Sequence, residues 1–149
     1  MGVNPIPEGY RTVTPYLVVE GAATVLDFVK QAFGAEEKFR MEAPDGKIGH
    51  AEAKIGDSVV MMGDAGEEHP AMPAMIHLYV EDCDTTYERA LAAGGTSERE
   101  PTDQFYGDRS AGVRDSTGNL WWIATHVEDV PEDELARRME EATTAPQAS

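Results

Sequence analysis

His50 and Glu52 stand two residues apart in "KIGHAEAKI", a stretch whose alternation reads as a strand. Residues two apart on a strand project from one face, so imidazole and carboxylate share one side of a sheet. Such a pair can pass a proton, fix a polar ligand or join a metal site. His77 in "MIHLYVED" and His126 in "WWIATHVED" add two imidazoles. Two histidines and a carboxylate are enough to hold iron or zinc. Spacing alone does not bring the four together. A displaced metal site, the polar lining of a pocket, and structural or surface histidines all stay open. His69, in a Gly- and Pro-containing connection, reads as solvated.

"QFYGDR" combines the aromatic Tyr106, a turn and Arg109. The planar fork of Arg109 either clamps an anionic ligand or pairs with Asp108 at the strand entry. Trp121 and Trp122 are adjacent on a strand-like segment, so they point to opposite faces. One belongs to the core. Trp122 is expected on the other side, as a flat stacking wall or against a partner subunit. Tyr16, Met61 and Met75 offer an adaptable apolar lining or simply core filling. A phosphate-binding Gly loop, a nucleophile elbow and a dinucleotide fingerprint are all missing from the sequence.

The elements that must position these residues repeat. Val19-Glu20 falls on Val80-Glu81 at an offset of about 61, and the same shift aligns Leu17 with Leu78 and Gly34 with Gly95. Each half reads as β-α-β-β-β. In the first, strands are expected over Thr12–Val19, Glu37–Glu42, Ile48–Ile55 and Ser58–Met62, with a helix over Ala22–Phe33 ended by Gly34. In the second, strands are expected over Met75–Val80, Thr96–Glu100, Arg109–Arg114 and Leu120–His126, with a helix over Asp84–Ala93 capped by Asp82 or Asp84. This gives one domain: module one at 10–62, a linker at 63–74, module two at 75–127, and a short helix with a tail at 128–149. The closing "TTAPQAS" reads as disordered. The fold class is α+β, a curved mixed sheet with helices on one face and a cup on the other.

Strand alternation assigns the faces. Val13, Leu17 and Val19 go under the first helix, leaving Thr14, Tyr16 and Val18 to the cup. Met75, His77 and Tyr79 follow in the second half. Ala51 and Ala53 are small enough to lie under a helix, which leaves His50 and Glu52 on the cup side. A two-residue hairpin at Gly56-Asp57 sets Glu52 opposite Met61.

Bulk properties narrow the function. A net charge of −16, from 28 acidic and 12 basic residues, repels phosphate backbones and argues against nucleic acid as a partner. No apolar run approaches the length of about 18 residues that a membrane helix needs, and no signal-peptide pattern opens the chain. The one cysteine, Cys83, fits a reducing cytoplasm.

Four segments, "TVTPYLVVEGAATVLDFVKQAFGAE", "PDGKIGHAEAKIGDSVVMM", "QFYGDRSAGVRD" and "WWIATHVEDV", together resemble the vicinal oxygen chelate superfamily of glyoxalases, bleomycin-resistance proteins and extradiol dioxygenases. They resemble its PhnB-like branch most. The resemblance implies paired βαβββ modules around a cup, and a homodimer. Carried across by motif, the family's metal positions fall on Thr14, Met75, Trp122 and a residue near Val60 or Met61. None of these supplies a carboxylate or imidazole. The expectation is a cup without the usual metal and with no cofactor. It would bind a small planar or aromatic ligand through Tyr16, Met61, Met75, His77, Tyr106 and Trp122, with His50, Glu52, Arg109 and His126 as polar fixing groups. The alternative is a metal-dependent lyase, isomerase or dioxygenase with a displaced His/Glu site. A third reading is a dimerisation module with no ligand.

Overall fold

The computed structural model describes residues 2–144. Module one runs β1 (Tyr16–Val19), α1 (Ala22–Phe33), β2 (Glu36–Glu42), β3 (Ile48–Ile55) and β4 (Ser58–Asp64). Module two runs β5 (Met75–Tyr79), α2 (Cys83–Ala92), β6 (Thr96–Asp103), β7 (Asp108–Arg114) and β8 (Leu120–His126), and α3 (Glu132–Thr144) follows. The strands form two four-stranded mixed sheets, ordered β1-β4-β3-β2 and β5-β8-β7-β6. The first strand of each module is therefore an edge, joined in parallel to the last.

The apolar stripe of α1, with Val25, Leu26, Phe28 and Val29 buried, packs on sheet one. Gly34 ends the helix in the left-handed conformation (φ 67°), which costs a residue without Cβ little. Asp82 caps α2 by accepting the Thr85 N–H at 3.2 Å. One core cluster joins Leu17, Val19, Ala51 and Ala53 of sheet one to Ala111, Val113, Trp121 and Ile123 of sheet two. The Trp121 ring meets Phe33 and Phe28 of α1 at centroid distances of 5.2 and 6.1 Å. α1 and α2 thus lie between the two sheets, and the opposite face of each sheet is turned outward.

The register is the one the hairpin demands, with Ile55 opposite Ser58 and Glu52 opposite Met61. Differences fall where proline or a cap intervenes. β1 begins at Tyr16 rather than Thr12, and Val13 is 81% exposed rather than packed under α1. Pro15 has no N–H to give the ladder, so its carbonyl, accepting from Met61 N at 2.9 Å, marks where pairing stops. β6 continues to Asp103 through Pro101 because it is an edge strand, where a missing donor faces no neighbour. Thr143 and Thr144 form the last turn of α3 instead of tail, and the remainder of that tail lies outside the described residues. Ala65 N, donating to Val19 O at 2.7 Å, extends the β4 ladder by one bond, and the linker then returns along the free edge of β1, where Met72 N donates to Val18 O at 2.9 Å.

Gly21, at the N-cap of α1, has no side chain to satisfy the helix N-terminus. Asp64, at the end of β4, does so instead. Its Oδ1 accepts Gly21 N and Ala22 N, both at 2.9 Å, and its Oδ2 accepts Ile48 N at 2.7 Å. Burial alone would raise its pKa, but the three backbone donors prevail and lower it. Asp64→Ala should therefore cost about 1–2 kcal/mol in urea unfolding at neutral pH. Because the folded pKa is depressed, this contribution is present above the unfolded value of 3.8 and is lost as pH falls through the folded one. The gap between wild type and Asp64→Ala should close in acid, and a gap that persists there would contradict the assignment.

Candidate functional site

On the outward face of sheet one, β3 presents His50 and Glu52 side by side, with Nε2 of the imidazole 2.7 Å from Oε2. The other carboxylate oxygen accepts the hydroxyl of Tyr10, which arrives on the N-terminal arm. His50 Nδ1 lies 3.1 Å from the Tyr16 hydroxyl on β1. Burial would raise the Glu52 pKa, but the bonds from Tyr10 and His50 outweigh it and keep the group ionised. Donating to that carboxylate holds the Tyr10 phenol above its ordinary value. An ionised Glu52 places the imidazole proton on Nε2, so Nδ1 is the acceptor for Tyr16. The result is a Tyr–Glu–His–Tyr chain able to hold a polar ligand group or exchange a proton with it. A cavity of about 420 Å³ lies between the arm, Glu52 and Met61. A second, of about 400 Å³, is bordered by Tyr16, Gly63 and His69.

The outward face of sheet two is more aromatic. Met75 and Tyr79 are 68% and 66% exposed, and His77 stands between them on β5 with its ring 5.0 Å from that of Tyr79. His77 pairs across to Trp122 on β8, and Trp122 to Gly112 on β7. At the end of β8, His126 donates to two carboxylates, Asp108 at 2.8 Å and Asp129 at 2.7 Å. The second oxygen of the buried Asp108 accepts the Tyr79 hydroxyl at 2.9 Å. Tyr106 is half exposed on the β6–β7 turn. Arg138 of α3 braces that turn, donating to Phe105 O at 3.1 Å and to Glu128. A groove of about 1140 Å³ runs along the β5 edge, between Ile76–Glu81 and the Ile55–Ser58 hairpin.

The four residues considered for a displaced metal thus divide within one chain: His50 and Glu52 on sheet one, His77 and His126 on sheet two. Among the described residues, no three His, Cys, Asp or Glu side chains converge as a metal set. The hydroxyl of Thr14, the thioether of Met75 and the indole of Trp122 do not fit a hard divalent ion. Arg109 lies on the helix side of β7. Its fork is taken by Asp84 at 2.8 Å and Asp103 at 3.2 Å, not by Asp108. Both acids raise its pKa.

Three residues of these faces escaped sequence reasoning. Tyr10 lies outside any strand, 42 residues from its partner Glu52. Asp108 enters the sequence reading only as an ion-pair partner for Arg109 at the strand entry. Arg99 is hidden in the charged run "SERE", and the register shifts on either side of it keep its place opposite Gly112 from being read off the sequence.

A family model described as Glyoxalase/Bleomycin resistance protein/Dioxygenase superfamily matches residues 11–123, and the chain belongs to this superfamily. It is 36% identical over 153 residues to Uncharacterized protein Mb0911c of Mycobacterium bovis, covering 93% of this chain and 96% of that protein. Among solved structures it is similar to TioX from Micromonospora sp. ML1, at 26% identity and a TM-score of 0.68, over 78% of this chain and 99% of that one. A glyoxalase/bleomycin resistance protein/dioxygenase family enzyme from Burkholderia phytofirmans PsJN aligns at 17% identity and a TM-score of 0.63, over 76% and 97% of the two chains. That likeness is one of fold alone.

The clamp on His126 has a pH signature. Hydrogen bonds donated to Asp108 and then to Asp129 raise its pKa above the ordinary 6.5. Its stabilising contribution is complete below the unfolded pKa and is lost as pH rises through the folded one. Histidine NMR titration should find His126 above the ordinary value and moved back toward it by Asp108→Asn. An unmoved midpoint would exclude the clamp.

Proposed function

We propose that this protein binds a small planar or aromatic molecule without the superfamily's usual metal, and that it does so as a homodimer. The carrying observation is that each half-cup looks outward and leaves large apolar side chains in water. Tyr16 on sheet one is 47% exposed, and Met75 and Tyr79 on sheet two are more so. A second copy, pairing sheet one of one chain with sheet two of the other, would cover them and enclose two cups. Trp122 then forms an apolar wall, and His50, Glu52 and His77 supply a few placed polar groups. Small-molecule sites have this composition. Assignment to the PhnB-like branch and a cytoplasmic, reducing setting belong to the same proposal. The free Cys83 and the lack of any described helix apolar enough to cross a membrane fit it.

Light scattering of the purified protein should give twice the mass of one chain. Planar aromatics such as naphthalene derivatives should quench tryptophan fluorescence saturably, and Trp122→Ala should weaken binding at least about tenfold, as loss of a stacking wall does. A monomer that quenches with none of them would refute the proposal.

The metal-dependent alternative has one feature in its favour: the same dimer would bring His50 and Glu52 of one copy toward His77 and His126 of the other. Elemental analysis of protein prepared without chelators decides it. We expect substoichiometric iron, zinc, nickel and manganese. One equivalent that disappears in His50→Ala would replace the metal-free reading with the enzymatic one.

A further inference from the structure

We propose that Arg99, mounted on Trp122, is an anion-recognition site, so that the molecule taken by the cup is a planar aromatic acid. This rests on the ligand-binding reading above and names the class of ligand. Four residues form one row across the outward face of sheet two. Arg99 on β6 is opposite Gly112 on β7, Gly112 opposite Trp122 on β8, and Trp122 opposite His77 on β5. The row works because its second member has no side chain. A Cβ on Gly112 would lie 2.5 Å from Cζ3 of the indole. Without it, the ring lies across β7, and the Arg99 guanidinium sits 4.6 Å from the ring centroid. Ser110, two residues before Gly112 and on the same face, accepts from Arg99 Nη2 and holds the fork in place.

What this guanidinium lacks is a counter-ion. The chain has eight arginines. Six have a carboxylate within 4.0 Å: Arg11, Arg40, Arg109, Arg114, Arg137 and Arg138. Among the described residues, Arg89 and Arg99 do not. Arg89 is exposed on α2, where water serves. Arg99 is half buried, and its buried Nε has no hydrogen-bond partner. In a chain with 28 acidic residues this is not a shortage of carboxylates. Two acids of these strands are engaged elsewhere: Glu98 with Arg114 at 3.3 Å, and Asp108 with Tyr79 and His126. Keeping a partly desolvated cation unpaired costs free energy, and an incoming anion relieves it. An aromatic body can lie against Met75 and Tyr79 while its carboxylate meets the free edge of the fork, which matches carboxylate geometry.

Two probes share one ring system and differ in charge: 2-naphthoate and 2-naphthalenemethanol. Calorimetric titration of the full-length protein at low salt should show the acid bound at least about tenfold more tightly, as one charge-assisted hydrogen-bond pair provides. Added salt should narrow the difference. Arg99→Met, which keeps an apolar chain over the indole, should bring the ratio of the two affinities near one. Arg99→Lys should retain part of it through charge without the fork. Circular dichroism confirms that both variants are folded. If acid and alcohol bind wild type equally, or if the preference survives in Arg99→Met, this inference is wrong while the planar-ligand reading stands. If neither probe binds wild type, both are wrong.

Discussion

Burying Trp121 between the helices and sheet two decides where every candidate residue of module two must stand. Its indole is fully enclosed, packed at a tilt against Phe28 and Phe33, and its Nε1 donates to Asp115 at 2.8 Å. Asp115 also accepts from Thr117 and Asn119, so the turn before β8 and the tryptophan are held by one buried carboxylate. With Trp121 committed inward, the pleat commits Trp122 outward, and cross-strand pairing carries His77, Gly112 and Arg99 with it. The face proposed to take a ligand is the reverse side of the core.

Carboxylates do much of the positioning in this acidic chain. Asp64 ties the end of β4 to the start of α1 and of β3. Asp108 joins β5, β7 and β8 through Tyr79 and His126. Glu52 links the N-terminal arm to the imidazole of β3. Each is met by donors that keep it ionised or satisfied, so the negative charge is spent on internal structure as well as on solubility.

Much of the fold was legible because its signals are local. The doubled βαβββ pattern, the glycine stop of α1 and the two-residue hairpin follow from neighbouring residues, and the pairing of Glu52 with Met61 follows from the hairpin. Face assignments held wherever the pleat was regular. They failed at Val13, where Pro15 had already ended the strand. The direction of Arg109 was readable from Ala111 and Val113, its partners in alternation, which are fully buried on the helix side. What alternation could not show is how the modules pack. Periodicity says which side of a sheet a residue takes, not which sheet that side faces. Sequence reasoning therefore left open whether His50 and His126 share a cavity, and within one chain they stand on different sheets.

The linker strapped along β1 has a consequence for assembly. With the outward Val18 carbonyl occupied by Met72, part of this four-residue strand is closed to pairing with another chain. Growth by adding strands end over end, the route to fibrils, is blunted on that side. The homodimer proposed above would instead join copies broadside, through a self-complementary contact that closes after two and leaves no open-ended polymer.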